Sequence, residues 1–171
     1  RNQSDPDMKL TLIQNGRTTY VISIRKSATE PERFAAAELS RYLEKIAGAR
    51  IPIKESARGR HVIVLDTNLK AKSPDAFSIR TVGPKLTLSG ASPRAVLFAV
   101  YTFLEEYLGC GWLKPNDEHV PNLDAVTIGR LNISQQPSFR DRILVHFPYH
   151  RARTAEQIDW MAKRKLNISF V

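Results

Sequence analysis

Between Ser92 and Gly109 the chain carries Val96, Leu97, Val100, Phe103, Leu104, Tyr107 and Leu108 at helical spacing, covering so much of the helix that water cannot be its surroundings. Ser92-Pro93 supplies the start and Gly109 the stop. A helix of this kind needs apolar partners, and the flanking sequence provides them. Leu86 and Leu88 alternate with polar residues after the Val82-Gly83-Pro84 turn, and Phe77 and Ile79 alternate before it, predicting a hairpin immediately upstream.

A second helix is predicted over residues 30–47. Thr29 and Glu32 have capping-box spacing, Pro31 stands in the first turn, Ala35, Leu39, Tyr42, Leu43 and Ile46 share one face, and Gly48 suits a left-handed end. Upstream, Leu10 and Leu12 alternate, Asn15-Gly16 suits a tight turn, and Tyr20, Ile22 and Ile24 alternate again, which predicts a first hairpin. Ile51 and Ile53 predict a short strand, His61–Leu65 a strand covered on both faces, and Val126–Ile128 a further strand. The expected class is α+β: a mixed, mostly antiparallel sheet with two packed helices over residues 8–135.

Gln135-Gln136-Pro137 interrupts this pattern. Beyond it, Ile143-Leu144-Val145 reads as a buried strand, Thr154–Lys165 as a helix capped with Gln157, and Leu166–Val171 as a strand, an incomplete βαβ unit over residues 136–171. The length of 171 residues fits one domain with part of another. No stretch approaches the ~20 apolar residues of a membrane span. The single Cys110 excludes a disulfide scaffold and multi-thiolate zinc.

The net charge of +9 is unevenly placed: from Arg130 onward eight basic residues face three acidic ones, so +5 lies in the last quarter. Interleaved aromatics for stacking bases are missing there, which argues against nucleic acid. Dinucleotide, Walker, HExxH and GxSxG motifs are absent. The richest cluster is Phe139-Arg140-Asp141-Arg142 with His146, Tyr149, His150, Arg151 and Arg153. It reads either as substrate-binding groups at a barrel strand end or as a solvated loop with an Arg140–Asp141 surface pair. His146 and His150 lack a third ligand at recognisable spacing, so neither a metal nor another cofactor is expected. Neighbouring helix positions point about 100° apart, which sets Glu105 and Glu106 on a solvated face rather than around one sugar. Cys110 reads as a buried thiol and Trp112 as a packing anchor.

Glu30-Arg33-Ala35-Ala36-Glu38-Leu39-Tyr42-Leu43-Ile46-Gly48, Ile51-Pro52-Ile53 and Arg94-Ala95-Tyr101-Phe103-Leu104-Glu105-Leu108-Gly109-Cys110-Gly111-Trp112, with Pro115 and Val120-Pro121, resemble the non-catalytic amino-terminal domain of family-20 β-N-acetylhexosaminidases and related α-glucuronidases and α-N-acetylglucosaminidases. Pro137-Ser138-Phe139-Arg140-Asp141-Arg142 resembles the family's lead into the first strand of a (β/α)8 barrel, and Ile158-Asp159-Met161-Ala162-Lys165-Leu166-Asn167 its first helix. The resemblance implies an accessory domain whose partner is the rest of its own barrel, with glycan bound through that larger enzyme. It implies weak sugar-binding roles for Arg142 and His150, a periplasmic or secreted setting, and no activity in this chain alone, since the family's Asp-Glu pair lies on a later barrel strand. The alternative is a free-standing glycan- or polyanion-binding module.

Overall fold

The computed structural model describes residues 9–144 and 154–169. Its elements are β1 (Leu10–Gln14), β2 (Val21–Ile24), α1 (Glu30–Ala47), β3 (Ile53–Glu55), β4 (Val62–Asp66), β5 (Phe77–Val82), β6 (Lys85–Gly90), α2 (Pro93–Thr102), β7 (Gly111–Lys114), β8 (Asp117–His119), β9 (Ala125–Ile128), β10 (Asn132–Gln135), β11 (Ile143–Leu144), α3 (Ala155–Lys163) and β12 (Ile168–Ser169). Six strands form the main sheet in the order β10-β5-β6-β4-β2-β3.

The class is α+β and the sheet is mixed, as the sequence predicts. Its balance differs from the expected one: β2 runs parallel to β3 and β4, β4 parallel to β6, and only β5 is antiparallel to its neighbours β6 and β10. β2 reaches its parallel neighbour β3 through α1, and the chain leaving β4 goes first to β5, one place beyond β6, so that the β5–β6 hairpin returns β6 parallel beside β4.

Helix α1 has the predicted bounds. The Glu32 carboxylate accepts from the Thr29 N–H and from its hydroxyl, both at 2.8 Å, and Gly48 at φ +71° closes the helix. Its buried face, Ala35, Leu39, Tyr42, Leu43 and Ile46, packs against α2 and the sheet. Each such Leu or Ile contributes roughly 1.5–3 kcal/mol on leaving water. Every residue of α2 from Ala95 to Thr102 is buried, and the helix runs on through a π-helical turn at Phe103–Tyr107 before stopping at Gly109, φ +78°. Its seat on the sheet depends on Gly90: a Cβ there would lie 2.5 Å from the Val96 nitrogen and 2.7 Å from the Ser92 carbonyl oxygen.

The predicted hairpin between β5 and β6 is present, but the first hairpin is not. Asn15 and Gly16 do take positive φ, 49° and 68°, and Gln14 pairs with Arg17. The strands then part, β1 pairing antiparallel with β9 while β2 joins the main sheet. The Thr18 hydroxyl donates to the Leu12 carbonyl at 2.7 Å, closing the turn locally in place of a ladder. Alternation records which face is apolar and is silent about the neighbour. The segment 111–119 forms a small antiparallel pair, β7–β8, turned by Asn116 at φ +60°.

β4 was expected to be covered on both faces; Val62, Ile63 and Leu65 are buried, whereas Val64 and Asp66 are half-buried. Among the described residues, the helices packed on the sheet, α1 and α2, lie against each other on one face. Ile143 was expected in a buried strand and is 40% exposed, since among the described residues β11 has only β12 beside it.

Candidate functional site

The chemistry-bearing side chains concentrate where the β11–α3–β12 unit meets the helices and β7. Thr154 and Gln157 form the predicted capping box of α3: the Gln157 N–H donates to the Thr154 hydroxyl and the Thr154 N–H to the Gln157 side chain. This fixes the start of the helix and turns Trp160, Met161 and Lys163 toward the body, with Met161 and Lys163 buried. The Trp160 indole N–H donates to the Trp112 carbonyl at 3.1 Å.

Lys163 lies 5.7 Å from the Tyr42 ring centre and 5.8 Å from that of Trp112, with its ammonium bonded to Asp159 one turn earlier. Burial works against its charge, but the Asp159 carboxylate, with Tyr42 beside it, prevails and its pKa is raised. The Trp112 indole N–H donates to the Tyr42 hydroxyl at 2.9 Å, and that hydroxyl donates to Glu118 at 2.6 Å. Burial would raise the Glu118 pKa, yet the Lys45 ammonium and the Tyr42 hydroxyl bring it down to about 2.

A second knot centres on Asp75, whose side chain is 3% exposed. One of its oxygens accepts twice from Arg94, at 3.0 and 2.7 Å; the other accepts from Arg142 at 2.8 Å and from the Asn167 amide at 2.9 Å. Burial pushes the carboxyl up, and the Arg142 and Arg94 guanidinium groups with Asn167 overcome it, leaving the pKa lowered. Arg142 also donates from Nε to the Lys165 carbonyl at 2.7 Å and from a terminal nitrogen to the Phe139 carbonyl at 2.9 Å. Its backbone N–H meets the Asn167 side chain at 2.8 Å. Asp75, ahead of β5, thus binds the residues that open β11 and β12. Arg164 pairs with Glu105 at 2.6 Å, and the Lys165 ammonium donates to the Thr102 hydroxyl at 3.0 Å.

The predicted residues distribute as follows. Arg142 lies inside this network with its guanidinium engaged by protein groups. His150, with His146, Tyr149, Arg151 and Arg153, lies outside the described residues. Arg140 and Asp141 form the exposed pair, 3.9 Å apart. Glu105 is not solely solvated, because it meets Arg164. Cys110 is buried and its pKa, raised chiefly by burial, stands at about 12, so the sulfur is a thiol rather than a nucleophile. Trp112 is a buried anchor, edge-on to both Tyr42 and Tyr101. Asp75, Glu118 and Thr102 are not singled out by the sequence, and Asn167 enters it only within the string that resembles a barrel helix; Asp75 follows Ser73-Pro74, a turn signal, but nothing in its neighbours announces burial. Among the described residues no group of three His, Cys, Asp or Glu side chains could hold a metal ion. The arrangement pairs charges and orders backbone, tying α3 and the starts of β11 and β12 to α2, β7 and the segment ahead of β5.

A helix-backed mixed sheet with a strand–helix–strand unit locked beside it is a fold shared with portions of solved glycoside hydrolases. One is a family GH115 4-O-methyl-α-glucuronidase with specificity for decorated arabinogalactans, similar over 94% of this chain with a TM-score of 0.68 and 14% identity. Others are a GH20 exo-β-N-acetylglucosaminidase from Vibrio harveyi (95% of this chain, TM-score 0.59, 20% identity) and a GH20 β-N-acetylhexosaminidase from Streptomyces coelicolor A3(2) (81%, 0.57, 16%). The chain spans 25%, 23% and 26% of those three chains, respectively. No family model and no curated protein matches the sequence.

Proposed function

We propose that this chain is the accessory domain of a glycoside hydrolase, residues 8–135, joined to the opening strand–helix–strand of its catalytic barrel, residues 136–171. The observation that carries the reading is the parallel pair β11–β12, two residues long and joined through α3, anchored to Asp75, Trp112, Glu105 and Thr102. So short a parallel pair cannot stand alone, and a parallel strand–helix–strand is the repeating unit of a (β/α)8 barrel. The domain's work is to set the first barrel strands in place.

An apolar groove of about 930 Å³ between α1, α2 and α3, where Phe34 is 45% and Ile158 55% exposed, supports the same reading, as a surface that further barrel elements would cover. In this reading Arg142 positions strand β11, any sugar contact from this part of the chain falls to His150, and the enzyme works outside the cytoplasm. The test is hydrolysis of aryl N-acetylhexosaminides and aryl glucuronides. The 171-residue chain should give no turnover, while the chain extended through eight barrel strands should; turnover by the shorter chain would overturn the assignment.

A further inference from the structure

Along β2 and β4, Ile22, Ile24, Ile63 and Leu65 are buried, and Ser23, Val64 and Asp66 alternate with them onto the opposite side of the sheet. The crossover from β2 runs through α1 to β3 on one side, whereas the chain leaving β4 ends at β6 on the other. The connections diverge between β2 and β4, and at such a switch point the carboxyl ends of parallel strands leave a crevice suited to a ligand. A crevice of about 370 Å³ opens there, lined by Ser23, Arg25, Ser56, Val64, Asp66 and Asn68 among others. That is the size of a small-molecule site.

Its walls are braced from behind. The buried Glu32 carboxylate takes the Arg25 guanidinium at 2.8 Å and the Thr67 hydroxyl at 2.8 Å, tying the segment after β2 to the segment after β4. On the third wall Ser56 holds φ +49° while its N–H donates to the Ile24 carbonyl at 2.8 Å. One oxygen of Asp66 accepts from Ser89 at 2.6 Å; among the described residues the other has no side-chain partner.

The lining also limits the ligand. The amino end of α1, where a phosphate would otherwise sit, is filled by Glu32 of the protein itself. The Ser23 hydroxyl is buried and donates to the Ala57 carbonyl at 3.4 Å. What remains is one carboxylate acceptor, the guanidinium nitrogens of Arg25 not taken by Glu32, the Asn68 amide, the exposed Ser56 hydroxyl and the apolar side of Val64, a set that matches adjacent hydroxyls on a ring with a hydrocarbon face.

We propose that this crevice binds a neutral, monosaccharide-sized polyol. The proposal stands independently of the accessory-domain assignment. To test it, the isotope-labelled 171-residue chain is titrated by NMR with glucose, galactose, mannose and N-acetylglucosamine, and separately with inorganic phosphate. At least one sugar should shift the Arg25, Ser56, Asp66 and Asn68 amides saturably. Asn68→Ala, at an exposed position that leaves the fold intact, should weaken that response about tenfold, as loss of one good hydrogen bond does. Absence of these shifts with all four sugars, shifts confined to other residues, or saturation by phosphate alone would each overturn it.

Discussion

Asp75→Ala would leave Arg94, Arg142 and Asn167 without their common acceptor. With the carboxylate almost fully buried and Arg142 largely so, the loss should be about 2–3 kcal/mol. Urea unfolding measures it, and hydrogen exchange should quicken around residues 142–144 and 166–169 more than in the main sheet. Asp75→Asn, which keeps the shape and part of the bonding, should fall between. Glu32 makes the complementary point about pH. Burial opposes its charge, but the Thr29 N–H, Arg25 and the Thr29 and Thr67 hydroxyls hold its pKa at about 2. An unfolded glutamate titrates near ~4.3, so the folded chain binds fewer protons than the unfolded one, and this stabilisation is complete above that pH and disappears as pH falls toward the folded value. Glu32→Gln should flatten the acid limb of a plot of urea midpoint against pH; an unchanged limb would show that the acid sensitivity lies elsewhere.

At the scale of elements, α2 depends on its contact with the end of β6. Gly90→Ala places a methyl group against the backbone at Val96 and Ser92, which cannot yield as a flexible side chain could, and should cost about 1–3 kcal/mol with a lowered melting temperature. A neutral result would mean that α2 slides on the sheet without penalty. The same elements show what a sequence discloses. Helix α1 was legible to the residue because cap, apolar stripe and glycine all lie within its own segment, and the β5–β6 hairpin because its turn is local. The β1–β2 pairing was not, since the partner of β1 is β9, more than a hundred positions away, and no local pattern encodes that choice. The seam was legible only by half. The Trp112 anchor and the α3 capping box could be read, but Asp75 and Thr102 take their places through burial, and all of Asp75, Glu118 and Thr102 through partners distant in sequence.

Across the whole molecule, the excess charge loses its first meaning once partners are known. Of the eight basic residues from Arg130 onward, Arg140, Arg142, Lys163 and Arg164 are paired with carboxylates and Lys165 with the Thr102 hydroxyl. Binding to duplex DNA should therefore be weak and its salt dependence shallow; a log–log slope near the roughly −7 expected if all eight cations met phosphates would restore the polyanion reading. Both tryptophans of the chain, Trp112 and Trp160, stand at the same seam and are bridged by a single hydrogen bond. The molecule thus contains an optical gauge of one junction. Its intrinsic emission should shift to the red when the terminal unit lifts away, at denaturant concentrations where far-ultraviolet dichroism still records an intact sheet and helices.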